Sequence, residues 1–173
     1  MSQLNSDTSV DSYRFLPQSF RARFESFPEQ LDPFIRAEPR APLAEAKVAL
    51  LSTAGIYLKD SQLPFDLGRE RREPLWGDPT YRIIPRDVQQ NQIAISHLHI
   101  NNDDIHADMN IALPIPVFRD LAANSEFGSL ADEHYSFMGY QGGSTQAWRE
   151  TYGPELARRL TADAVNLLIL APA

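Results

Sequence analysis

Three of the four histidines fall within residues 96–110, SHLHINNDDIHADMN, interleaved with Asp103, Asp104 and Asp108. Imidazoles and carboxylates this dense can do two kinds of chemistry. If the stretch begins as a strand, His97 and His99 project from one face, and His106 or Asp108 could complete a metal site. Alternatively, an imidazole titrating near its ordinary pKa of ~6.5 could exchange a proton with a bound polar substrate. A local role is also open, because Ser, Asn and Asp side chains cap loops and helix starts. His-x-His has no second ligand pair here, so polar recognition is preferred to a metal and no metal ligand is assigned.

Two further patches could face a ligand. Ser52-Thr53-Ala54-Gly55 follows an apolar run and could turn backbone N–H groups toward a strand-end crevice, or be a tight turn. Glu133-His134-Tyr135 precedes the run 137–143, FMGYQGG, where Gly142-Gly143 would let an anion approach the backbone or simply form a loop. Neither has the glycine spacing of a phosphate loop or a dinucleotide fingerprint, so no cofactor-binding residue is assigned.

The elements that must position these residues alternate. KVALLST (47–53), YRII (81–84), QIAISHL (92–98) and VNLLIL (165–170) read as strands, the first and last as buried ones. PVFRDLAA (116–123) carries Pro at a helix start and apolar residues at helical spacing. Residues 146–164 form an amphipathic helix that Gly153-Pro154 should break or restart. The Gly/Pro-punctuated, charged stretch 55–78 reads as a long surface loop. Such alternation predicts an α/β fold with an open, mostly parallel, Rossmann-like (flavodoxin-like) sheet. Residues 1–44, with five prolines and six aromatics, are expected to be an irregular arm packed on the domain formed by 45–173.

Composition narrows the function. A net charge of -7 and a pI near 5.0 argue against nucleic acid as a partner. The basic groups Arg69, Arg71 and Arg72 and Arg158-Arg159 sit among acids, as a solvated surface would. There is no cysteine, hence no disulfide and no thiol nucleophile in these residues. No signal peptide and no apolar run of the ~18 residues needed for a membrane span is evident, so a soluble, cytoplasmic protein is expected.

Four blocks carry a family resemblance: LLSTAGIYLKDSQLPFD (50–66), GDPTYRIIP (77–85), ISHLHINNDDIHADMNIALPI (95–115) and ADEHYSFMGYQ (131–141). In this order they resemble the selenoprotein B family of glycine, sarcosine and betaine reductases and of D-proline reductase, most of all the small selenoprotein subunit of the last. The resemblance spans about Leu50 to the C-terminus and leaves out the arm.

It implies a reductase that cleaves an α-carbon–nitrogen bond of a small amino acid, with a selenolate as nucleophile and a pyruvoyl group on a partner subunit engaging the amine. In the family an apolar strand leads into a small/proline turn and then selenocysteine or cysteine. Here VNLLILAPA (165–173) matches that approach and stops, so the resemblance places a selenocysteine just after Ala173 and implies a chain truncated at a UGA codon. Within this reading His97, His99, Asp108 and Asn110 are the candidate catalytic residues, and Thr53 and Gly55 are candidates for substrate binding. Self-association into a homo-oligomer through uncovered apolar surface is a further expectation. The alternatives are a non-catalytic small-molecule or subunit-binding α/β module, or a His/Asp metal-site protein.

Overall fold

The structure, a computed structural model, describes residues 38–73, 76–141 and 145–173. Residues 1–37 of the expected arm, and Gly142 and Gly143, lie outside the described residues. Pro39–Ala173 forms one compact unit.

The strand β1 (Lys47–Ser52) is the axis of that unit, and its Val48, Ala49 and Leu50 are fully buried. Along one side it pairs in parallel with the short β5 (Ser129–Leu130) and then with β6 (Glu133–Phe137). Along the other it pairs in parallel with β7 (Leu167–Ala171) from Val48 to Ser52. β3 (Tyr81–Pro85) is antiparallel to the far side of β6. The sheet therefore runs β3–β6–β1–β7 and is open and mostly parallel, so the chain has the α/β architecture expected. β2 (Ile56–Leu58) and β4 (Ile93–Ile95) form a separate antiparallel pair.

Alternation along the strands makes two cores. Val48, Leu50, Ile84 and Leu130 pack with Ile105 of α2 (Asn102–Ala107), Ile115 of α3 (Ile115–Ala123), and Phe127. On the opposite face Tyr135 and Phe137 pack with Trp148, Tyr152 and Leu156, the last on α4 (Gly153–Ala162). Among the described residues no helix is long and apolar enough to cross a membrane.

The pairing along β1 contains a dislocation. Between Val48↔Leu130 and Leu51↔Tyr135, β1 spends two residues where its neighbour spends four. This surplus is a bulge, and side chains repair it. The Leu50 N–H donates to His134 Nδ1 at 3.1 Å, and the Ile56 N–H donates to Ser136 Oγ at 2.7 Å. Accepting at Nδ1 leaves the His134 proton on Nε2, so the ring is neutral. Complete burial, reinforced by Arg86 and opposed by Asp132, pushes its pKa down to about 4.

Three expectations need correction. The strand expected over 92–98 ends at Ile95, so His97 and His99 do not lie on a strand. The stretch 55–78 is not all loop: it contains β2 and the short helix α1 (Leu67–Arg72). At Gly153-Pro154, by contrast, the last helix restarts, one of the two outcomes expected. A π turn at Trp148–Tyr152 absorbs it: the Gly153 N–H donates to the Trp148 carbonyl five residues back, and Pro154, with no N–H to give, begins the regular helix. A Cβ at Gly153 would stand 2.5 Å from that carbonyl oxygen, so only glycine fits the turn. Finally, β7 is not buried but an edge strand of the described sheet, with Leu167 39% and Leu170 65% exposed.

His134 gives the fold a defined acid sensitivity. Its folded pKa lies below the unfolded ~6.5, so its stabilising contribution is complete above pH ~6.5 and is lost as pH falls toward 4. The full loss is about 3 kcal/mol. Urea unfolding of the native chain should therefore weaken between pH 7.5 and pH 4.5. His134→Asn keeps an acceptor but cannot titrate, and is expected to flatten the slope. An unchanged pH slope in the variant would show that His134 is not the group responsible.

Candidate functional site

Three parallel strands end side by side. Past β1, Ser52 Oγ accepts the Ala54 N–H at 3.1 Å and closes a tight turn. The Thr53 N–H donates to the Ala171 carbonyl of β7 at 3.3 Å, and its hydroxyl oxygen accepts the Ala173 N–H at 2.9 Å. Gly139, two residues past β6, packs onto the same spot. A Cβ there would stand 2.8 Å from the Ala173 carbonyl oxygen and 3.2 Å from Thr53 Oγ1. Thr53, Gly139 and Ala173 thus meet at the carboxyl ends of β1, β6 and β7, the end at which open α/β sheets bind ligands.

Gly55 joins this end to the histidine segment. It is buried with φ +66°, its N–H donates to the Phe137 carbonyl at 2.9 Å, and its own carbonyl accepts the Ser96 N–H at 2.8 Å. A side chain would overlap the Ser96 carbonyl and lie 2.6 Å from Met138 Sδ. Gly55 therefore offers no surface to a substrate, whereas Thr53 stands at the strand end as expected.

The two histidines after Ser96 differ. His97 is buried and His99 exposed. His97 Nδ1 accepts the His99 N–H at 3.1 Å, and its carbonyl accepts from Asn102 Nδ2 at 3.1 Å. The ring proton is thereby placed on Nε2, which is buried and has no hydrogen-bond partner among the described residues. Burial first, and then the neighbouring His99, lower the His97 pKa, so the ring is neutral near pH 7. The His99 ring is perpendicular to it at 6.0 Å and tilted against Tyr140 at 5.0 Å.

Asp108 and Asn110 are placed differently. Asp108 Oδ1 accepts the Asn110 N–H (2.9 Å) and side-chain amide (2.8 Å), and Asn110 Oδ1 accepts the Val117 N–H at 3.4 Å. They fasten the turn after α2 to the start of α3, and no hydrogen bond among the described residues joins them to His97 or His99. Nor do the described residues include a group of three or more His, Asp or Glu arranged to hold a metal ion.

Two acidic residues of this region were not singled out in the sequence. Asp78 is buried and fully engaged: Oδ2 accepts the Asp66 N–H at 3.0 Å, and Oδ1 accepts the Thr80 N–H and hydroxyl at 2.9 and 2.6 Å. Glu70 on α1 is also buried, but its Oε1 has no hydrogen-bond partner among the described residues. Burial raises its pKa, His99 pulls it down, Asp78 raises it and Arg71 lowers it. The one cue in the sequence was spacing. Glu70 stands three residues after Leu67 and shares a helix face with it, in a run otherwise made of exposed arginines. A cleft of 550 Å³ opens beside α1, lined by Tyr57, Phe65, Leu67, Gly68, Ile95 and Ser96 among others.

The GDPTYR block fits here as well. A Cβ at Gly77 would overlap the Tyr140 carbonyl, and Gln141 Nε2 donates to the Asp78 carbonyl at 3.0 Å. Arg82 holds the segment before α1 through the carbonyls of Leu63 (2.7 Å) and Pro64 (3.1 Å), with its guanidinium 4.2 Å from the Phe65 ring centre.

These features define an α/β protein whose polar side chains gather at the carboxyl end of a mostly parallel sheet. The family described as glycine/sarcosine/betaine reductase selenoprotein B matches residues 24–173. The chain is also 34% identical over 128 residues to the D-proline reductase subunit gamma of Acetoanaerobium sticklandii, covering 74% of this chain and 49% of that relative. The chain belongs to the glycine/sarcosine/betaine reductase selenoprotein B family. It spans about half the length of the curated relative it matches. The family match starts inside the arm, well before the Leu50 at which the motif resemblance began. No solved structure matches the chain.

Gly55→Ala should destabilise the protein by at least about 3 kcal/mol in chemical denaturation, because a left-handed residue and two occupied volumes are challenged together. Gly68→Ala is the control. It lies on exposed helix with its nearest contact at 3.4 Å, and should be neutral or stabilising by up to about 1 kcal/mol.

Proposed function

We propose that the chain is a selenoprotein B-type component of an amino-acid reductase, serving reductive cleavage of the C–N bond of a glycine derivative or D-proline. The proposal further holds that a selenocysteine or cysteine follows Ala173 in the complete gene product. Family membership and the name of the relative, D-proline reductase subunit gamma, support the reading. The observation that carries it is the meeting of Thr53, Gly139 and Ala173 at the sheet's carboxyl end. A residue leaving that point would stand beside the His97 segment, which Gly55 ties to the same place. If a helix opens there, its N-terminal field would favour an anionic nucleophile.

The 173 residues contain no cysteine, so on this reading the thiol or selenol lies beyond them. That group supplies the nucleophile and, with an external dithiol, two electrons, while a pyruvoyl group on a partner subunit engages the amine. The chain's own residues do the rest. Thr53 fixes the approach to the reactive turn. Neutral His97 presents an N–H donor, and exposed His99 is placed to carry a proton. Asp108 and Asn110 act through the fold, by holding α3 to the histidine segment.

Two measurements test the reading. The codon after Ala173 should be an in-frame UGA or a cysteine codon followed by coding sequence, and UAA or UAG there would overturn the placement of the redox residue. The full-length protein, assembled with its pyruvoyl-bearing partner and given a dithiol, should cleave D-proline, glycine or a glycine derivative. His97→Phe should lower turnover by about 100-fold or more. No cleavage of any of these substrates by the assembled protein would reject the reductase reading.

A further inference from the structure

β7 has one edge and one face without a cover. It pairs with β1 from Val48 to Ser52, and no strand lies along its other edge among the described residues. From 165 to 173 the chain carries no charge, and β7 contains neither proline nor bulge, the devices by which edge strands resist pairing. The two faces of β7 are treated unequally. Ile169 pairs with Leu50 and packs in the first core. Leu170 pairs with Leu51, so its side chain lies on the opposite face, where Leu51 packs against Tyr135, Phe137 and Leu156. On that face Leu170 is 65% exposed.

A hollow of 180 Å³ opens on the same face, lined by Leu51, Thr53, Phe137, Trp148, Gly153 and Leu156. Connectivity says what belongs over it. The chain passes from β6 through α4 to β7, stepping across β1 with α4 on the Tyr135 and Phe137 face. Crossovers between parallel strands are right-handed almost without exception. A further parallel strand at the free edge of β7 continues the step in the same direction. Its connecting helix therefore falls on the same face as α4, over Leu170. The chain reaches Ala173 at the carboxyl end of the sheet, where such a connection begins, and Thr53 Oγ1 holds it there by accepting the Ala173 N–H. The aligned residues make up only 49% of the curated relative, which leaves it ample length for one more helix and strand.

We propose that the free edge of β7 and its Leu170 face are the docking surface for the part of the gene product that follows Ala173. An amphipathic helix lies beside α4 with its apolar side on Leu170 and the hollow, and a parallel strand after it pairs with β7. This placement rests on the functional reading in one respect, that coding sequence continues past Ala173, and does not depend on that sequence bearing selenocysteine.

The test compares the complete gene product, with cysteine supplied at any UGA position, with the 173-residue chain. Each is made with Leu170→Cys or Leu167→Cys, and thiol labelling at these positions is followed by peptide mass spectrometry. In the 173-residue chain the thiol introduced at position 170 should react freely. In the complete product it should react about 100-fold more slowly or less, because only local opening exposes it. Leu170→Lys should lower the urea midpoint of the complete product, where it buries a charge, and leave that of the 173-residue chain unchanged. Hydrogen exchange of the unsubstituted proteins gives a readout that survives if a variant does not fold: the amides of Leu167–Ala171 should exchange more slowly in the complete product. Equal reactivity at position 170 in both proteins would overturn the docking surface, and protection confined to position 167 would put the helix on the opposite face and overturn it too. Protection in the complete product that is lost on dilution would assign the surface to a second copy instead. A UAA or UAG codon after Ala173 would remove the occupant and the redox reading together. Continued coding sequence with position 170 still reactive overturns this surface alone. Protection at 170 in a product with neither selenocysteine nor cysteine after Ala173 sustains the surface and overturns the redox reading.

Discussion

At Gly55 the chain has no room for a β-carbon, and the geometry of the candidate site follows from that. Its N–H is held by the carbonyl ending β6 and its carbonyl by the N–H of Ser96, so one residue sets the exits of β1, β4 and β6 relative to one another. His97 follows Ser96 directly, and Gly139 and Tyr140 follow Phe137 by two and three residues. Any displacement at Gly55 is carried into both segments, because a close-packed interior moves as a unit. Gly77 presses on the Tyr140 carbonyl in the same manner, with the Gln141 amide bonded to Asp78 beside it. Two glycines thus clamp the segment after β6, in which Tyr140 meets the His99 ring.

What could be read in the sequence depended on whether an element is held by apolar burial. β1, β3 and α3 declare themselves because Val48, Leu50, Ile84 and Ile115 are buried at the expected period. β6, the second strand of the sheet, reads instead as a polar patch. On one of its two buried faces stand His134 and Ser136, which repair a bulge by accepting backbone protons, a task no hydropathy pattern records. β4 stops short of the histidines because Gly55 takes the Ser96 N–H and starts a new direction for the chain. The run 165–170 is apolar enough for a buried strand, yet in the described sheet it has a partner on one side only. The strand end at Thr53 was legible because an apolar run precedes it. Glu70 was hidden because the arginines around it make α1 look like solvated surface.

Electrostatics separates the two buried carboxylates near the histidines. Asp78 receives three hydrogen bonds, two from backbone N–H groups, and closes the turn that starts β3. Such a carboxylate is part of the scaffold. Glu70 has the opposite balance. Its surroundings supply desolvation and the charges of His99, Asp78 and Arg71, and its Oε1 has no hydrogen-bond partner among the described residues. A fold under no functional constraint gains by replacing such a group with an apolar one of similar size.

The same reasoning distinguishes the two buried histidines, which share one device. In each, Nδ1 accepts a backbone N–H, from Leu50 for His134 and from His99 for His97, and each is thereby committed to a proton on Nε2. Both rings are held neutral by burial. The difference lies in what surrounds the free N–H. His134 projects from the sheet face on which Val48, Leu50 and Ile84 pack, so its proton serves only to fix the tautomer that repairs the strand. His97 lies in a loop with an exposed imidazole on one side and an amide with a free oxygen on the other. One hydrogen-bond pattern therefore yields a structural residue within the sheet and a candidate binding group in the loop past β4. Residue type and tautomer alone do not separate the two; the environment of Nε2 does.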